Sequence, residues 1–123
     1  MRETSYWLWF LLAGVVIFIC GGLHVITTHL AVTGMFNPCG SDALEWGNVA
    51  YRSHSIPFTV GYVILLAAVL YHGFYGLKNI LFELNLKRTT ERTIVTSLRF
   101  IGIVLFGIGA LAVIVARQVT MVQ

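Results

Sequence analysis

The sequence has 123 residues, 58% of them hydrophobic and 11% charged, with a formal net charge of +3. A soluble domain of this length has too little interior to bury so much apolar surface, so these proportions exclude an ordinary soluble fold. The basic excess requires no nucleic acid once its placement along the chain is considered.

Three stretches are predicted to be helices that cross a bilayer, which takes roughly 20 apolar residues each. Inside hydrocarbon every backbone N–H and C=O must be paired within the segment, which selects the helix. The first span covers about 6–32. No Asp, Glu, Lys or Arg lies between Glu3 and Asp42, and the run exceeds the apolar core of a signal peptide, so it is read as a retained span. The connection that follows carries turn chemistry in Gly34, Asn37, Pro38, Gly40 and Ser41. Ser41 to Trp46 is expected to form a short interfacial helix with Trp46 at headgroup level. The second span, about 56–82, has Pro57 in its first turn, where a missing N–H costs nothing. The third covers about 94–117. Thr89 or Thr90 is its expected N-cap, and Arg92 and Arg99 near its start oppose the helix dipole. No domain boundary, low-complexity tract or internal repeat interrupts the chain, so residues 1–123 are read as one all-α membrane domain. A disulfide between Cys20, in the first span, and Cys39, in the loop, would need a re-entrant path, and none is expected. Two cysteines also give no metal-site spacing.

Charge orients the spans. Arg2, Lys78, Lys87, Arg88, Arg92 and Arg99 fall on one side, Arg52 and Arg117 on the other. By the positive-inside rule the N-terminus and the 78–93 connection are cytoplasmic, while the 34–55 connection and the C-terminus face outward. The inner basic face also suits an acidic soluble partner.

Four histidines remain. His54 lies at the outer start of the second span, where a wet interfacial ring is ordinary. His24 and His72 sit well inside apolar helices. An intramembrane ionisable residue is a functional hypothesis by default, against the plainer reading of a neutral imidazole bonded to a neighbouring helix. His24 lies toward the outer leaflet and His72 toward the inner, so the two rings differ in depth by roughly 15 Å. One iron cannot readily take both, but each could bind a different one. Gly21 and Gly22 beside His24, and Gly73 and Gly76 beside His72, would let a flat macrocycle approach; small residues serve plain helix contact as well. A bis-histidine haem suits such positions, its imidazoles oriented by a backbone carbonyl one turn earlier. Three helices supply one ligand per haem, so the remaining ligands must come from another chain. His29 lies about 140° around the helix from His24, nearer the interface. His24 is favoured as ligand, with His29 as an interfacial or propionate contact.

These residues resemble a family: the membrane-anchor cytochrome b subunits of succinate dehydrogenases and fumarate reductases, respiratory complex II. The likeness rests on Ile56-Pro57-Phe58 opening the second helix, on LYHGFYGL over 70–77, and on Gly14 followed by LHVITTHL in the first helix. It covers roughly residues 10–85. In that family the histidine matching His72 ligates the inner haem b and the one matching His24 the outer; Tyr75, Gly73 and Gly76 fall in the same motif. Single-chain di-haem members have five helices. Three helices look like the two-subunit anchor type, in which a second small chain completes the bundle and both haems.

The resemblance implies a non-catalytic electron-transfer and anchor subunit in the inner (cell) membrane. Its partners would be a second anchor subunit, and an iron–sulfur and a flavoprotein subunit on the cytoplasmic side. Some di-haem members bind menaquinol near the outer haem through a glutamate around the start of helix two. Glu45 is the nearest match, with Trp46, Arg52 and His54 beside it; the plainer reading is a solvated loop acid. Ser5 and Tyr6 are alternatives near the inner face. Two other readings stand beside this one: a single-haem or haem-free anchor, and an unrelated small membrane subunit using its histidines for packing or proton relay.

Overall fold

A computed structural model describes residues 2–30 and 37–119. The first helix, α1, is one continuous rod over 2–30 that changes its winding. It is α-helical over Arg2–Val16, π-type over Ile17–Gly21, α-helical for the turn Gly22–Val25 and π-type again over Ile26–Leu30. The junction residues Val16, Gly21, Gly22 and Ile26 all keep right-handed helical dihedrals, so the rod is widened rather than broken. The predicted end of this span at Val32, and the turn signal at Gly34, lie outside the described residues. Three further helices follow: α2 (Trp46–His54), α3 (Ile56–Phe82) and α4 (Arg88–Val119).

The predicted α3 matches the structure at both ends, with Pro57 in its first turn. The connections differ from expectation. The interfacial helix begins at Trp46, where the predicted one ended, because Asp42 closes a local turn instead: its Oδ1 accepts the Leu44 N–H at 2.9 Å, and its carbonyl accepts that of Glu45 at 3.2 Å. Such side-chain bonds offer the backbone an alternative to helix. Helix α4 starts at Arg88, so Thr89 and Thr90 lie in its first turn rather than capping it. Glu91 stands in that turn too, an acid at the positive end of the dipole that offsets the arginines. Asn85, between α3 and α4, has φ 51°, a left-handed conformation that Asn tolerates better than most residues.

Helix α3 lies between α1 and α4 and runs antiparallel to each, with α2 against α3 and α4. Close approaches set the registers. Gly14 faces His72 and Gly21 faces Leu65; Gly102 faces the Phe74 ring and Gly109 faces Leu66. A Cβ on Gly109 would stand 2.5 Å from Leu66 Cδ2, so the missing side chain is what lets α4 come this near.

Three helices are long and apolar enough to cross a membrane, and no strand occurs among the described residues. Burial is inverted relative to a soluble fold. The buried apolar residues among those described are Ala13, Ala43 and Ala68, whereas Thr27, Asn37, Asn48, Arg52 and Ser53 are buried polar ones. Large apolar side chains such as Phe18, Phe100 and Ile103 face outward. The chain therefore has a polar interior at one end and apolar flanks suited to lipid or to other helices.

Candidate functional site

His72 is held between two helices. Its Nδ1 lies 3.0 Å from the carbonyl oxygen of Phe10 on α1. A carbonyl only accepts, so Nδ1 is the donor in this bond; in a neutral ring Nε2 is then the nitrogen with the lone pair. Nε2 has no hydrogen-bond partner among the described residues. The ring stacks on Phe10 with centroids 4.1 Å apart and planes 8° from parallel. Gly14 makes the space: a Cβ there would meet His72 Cε1 at 3.2 Å. The orienting carbonyl thus comes from α1, not from one turn earlier on the same helix as the sequence suggested. In a regular helix the carbonyl four residues back already accepts the N–H of His72, whereas α1 presents its own backbone at close range.

His24 is exposed on the chain's surface. It meets the Tyr62 ring edge-on, with centroids 5.5 Å apart and planes at 86°, and neither of its ring nitrogens is hydrogen-bonded among the described residues. A cavity of about 220 Å³ opens there, lined by Cys20, His24, Thr27, Phe58, Gly61 and Tyr62 among others. His24 occupies the single α turn between the two π-type segments, and its carbonyl accepts the hydroxyls of Thr27 at 2.9 Å and Thr28 at 2.8 Å. Hydroxyl bonds of this kind accompany bent helices, and π-type turns recur at functional positions.

Register gives the depths. His72 is level with Gly14, and the rise along α1 from Gly14 to His24 is about 15 Å. The angular separation of His24 and His29 is smaller than the 140° of an unbroken α-helix, because i→i+5 bonding over Ile26–Leu30 brings residues five apart nearer to one face. His29 is exposed.

The neighbouring glycines divide. Gly73 and Gly22 have open space where a Cβ would be, while a Cβ on Gly76 would meet the Phe10 ring at 3.5 Å and one on Gly21 would meet Leu65 at 3.9 Å. Tyr75 stacks on Tyr71, tilts against Phe10 and carries the Lys78 ammonium 4.5 Å above its ring. Phe10 and Tyr62 escaped the sequence reading. Phe10 stands one turn before Gly14, and only the α1–α3 register gives that spacing meaning.

Residues 37–55 form a closed polar hub. Asn48 is fully buried; its Oδ1 accepts the Cys39 N–H at 2.9 Å, and its Nδ2 donates to the carbonyls of Gly40 at 3.2 Å and Asp42 at 2.7 Å. Gly40, with φ 140°, takes a turn that side-chain-bearing residues rarely adopt. Arg52, also buried, donates to Asn37 Oδ1 and the Ala43 carbonyl, and Asn37 donates to the Thr27 carbonyl of α1 at 3.4 Å. Of the four residues considered for a quinone, Arg52 therefore holds the loop together, Glu45 and Trp46 are exposed, and His54 is partly buried at the end of α2.

Among the described residues no three His, Cys, Asp or Glu side chains converge on one point. What the chain offers is a single imidazole at each of two depths. That donor set would fit one ligand of a bis-histidine haem site at each level, and the described residues hold no second ligand at either.

The sequence is 29% identical, over 108 residues, to a protein of Archaeoglobus fulgidus named succinate dehydrogenase hydrophobic membrane anchor subunit; the match covers 86% of both chains. No family model matches the chain, and no solved structure is significantly similar to it.

Proposed function

We propose that the chain is a membrane-anchor subunit of a succinate dehydrogenase or fumarate reductase, holding b haem together with a second anchor subunit. The observation that carries the haem reading is His72, its Nδ1 fixed on the Phe10 carbonyl and its Nε2 without a partner among the described residues. Fixing one imidazole nitrogen sets the tautomer, orients the ring and makes the other nitrogen a better ligand. His24, about 15 Å away in depth and with no hydrogen bond to its ring nitrogens among the described residues, is the second ligand. Both point to a chain that needs another to complete its sites. The name of the Archaeoglobus relative supports the anchor role.

Bound haem b would supply one-electron transfer between a cytoplasmic iron–sulfur subunit and membrane quinone, which we take to be menaquinone. The chain's own residues hold and orient. Phe10 and Gly14 shape the slot for the His72 ring, Tyr62 backs His24, and the hub around Asn48 and Arg52 ties α1 to α2. Glu45, exposed beside that hub, is the candidate proton acceptor for quinol. The N-terminus and the basic α3–α4 connection face the cytoplasm in this reading, against the soluble subunits.

A second reading is favoured by the same His72–Phe10 bond: a haem-free anchor in which His72 ties two helices together. The test is haem quantitation per flavin in the purified complex, followed by optical and spin-resonance spectra of His72→Ala and His24→Ala. Two low-spin haems in the parent, and loss of a different one in each variant, are the expected result. Two low-spin haems in both variants would remove the ligand assignments. No haem in the parent would leave the haem-free anchor.

A further inference from the structure

A second cavity, of about 710 Å³, is lined by neither His24 nor His72, although Tyr71 and Tyr75 border it. It opens between the start of α1, α3 and α4, and its walls include Ala67, Leu70, Phe74, Ile103 and Phe106. Three charged residues line it as well: Glu3, Lys78 and Arg99. The Phe74–Gly102 contact sets the register of α3 against α4. Counting four residues on along α3 and four back along α4 puts Lys78 level with Leu98, so Lys78 and Arg99 share one height to within about 1.5 Å.

Neither cation has a carboxylate partner among the described residues. Lys78 rests instead on aromatic faces, 4.5 Å over Tyr75 and 5.6 Å over Phe82. Two unpaired cations within membrane-spanning helices are costly unless an anion joins them. Glu3 offsets one, which leaves a net charge of +1 at the mouth. From Lys78 to Ala67 the apolar wall continues for about 16 Å. A single negative charge followed by a long apolar tail fits this shape. A neutral headgroup leaves the charge uncompensated.

We infer that this groove binds one anionic phospholipid, its phosphodiester between Lys78 and Arg99 and an acyl chain along Phe74 and Phe106. The inference is independent of haem. Basic pockets between helices at a membrane face recognise acidic headgroups in this way, each cation contributing about fivefold to affinity and the pair about thirtyfold.

The test uses the full chain, purified in mild detergent with its native assembly, stripped of lipid and titrated with phosphatidylglycerol or phosphatidylcholine while native mass spectrometry counts bound lipid. One phosphatidylglycerol should bind about fivefold more tightly than phosphatidylcholine with Glu3 in place, and about thirtyfold more tightly once Glu3 is neutralised. The Lys78→Gln, Arg99→Gln double variant should lose that preference, and Lys78→Arg, Arg99→Lys should keep it. Glu3→Gln should strengthen it, a gain that a misfolded variant would not give. Equal retention of both lipids, or preference surviving the double Gln variant, would overturn the inference. So would displacement of phosphatidylglycerol by a neutral quinone at equal concentration.

Discussion

The hub at residues 37–55 and the histidine seam between α1 and α3 treat polar groups in opposite ways. In the hub every bond closes within the chain. Asn48 spends its carbonyl and its amide hydrogens on three backbone groups, and Arg52 is divided between Asn37 and the Ala43 carbonyl. In the seam the accounting stays open. His72 uses one nitrogen and His24 neither, although both lie in helices apolar enough to span a bilayer. His24 is exposed and His72 half-buried within the chain, so their open nitrogens can be reached from outside it. The hub is closed by its own residues; the seam leaves ring nitrogens of His24 and His72 without a hydrogen-bond partner among the described residues.

The sharpest way to break this contrast is Asn48→Ala. It leaves the Cys39 N–H and two carbonyls without their side-chain partner, and unsatisfied buried groups cost about 1–3 kcal/mol each. We expect about 3 kcal/mol of lost stability and rapid proteolysis within 37–45. Unchanged protease resistance would show that the hub does not depend on Asn48.

Next comes Gly14→Val. A Cβ already falls 3.2 Å from His72 Cε1, and the ring cannot retreat without leaving the Phe10 carbonyl. Overpacking of this kind costs about 1–3 kcal/mol. The midpoint of thermal unfolding should fall, and the spectrum assigned to the His72 haem should shift while that of the His24 haem stays. Phe10→Leu is gentler. It removes the stack but keeps the carbonyl, at a cost of about 0.5–1.5 kcal/mol, and haem should be retained with a small shift in potential. An unchanged unfolding midpoint would reduce the stack to incidental contact.

The smallest structural effect belongs to Glu45→Gln. The side chain is exposed, so stability should move by less than about 0.5 kcal/mol, while quinone turnover slows with both haem spectra intact. Full turnover in the variant would return Glu45 to the role of a solvated loop acid.

Hydropathy and length alone were enough to mark the three spans, because a helix in lipid must be long, apolar and self-bonded. The α3 bounds were legible from Pro57 and from the polar residues that follow Phe82. His24 and His72 stood out because ionisable rings are rare at such depth, and their separation followed from helical rise. Helix ends were less legible. The start of α2 turned on the side-chain bond of Asp42, and that of α4 on whether Thr89 and Thr90 join the first turn.

Tertiary structure decided what pairs across helices. That Phe10 supplies the carbonyl for His72, that Gly14 clears the slot, and that Arg52 is spent inside the loop all depend on the antiparallel register, which local pattern does not encode. The π-type turns around His24 have the same character, since 3.6-residue periodicity assumes the winding that they change. Residue pattern alone marks the three helices fit for lipid and the ionisable rings they carry. Only the packing of α1 on α3 decided which nitrogen of His72 is occupied and which is left available.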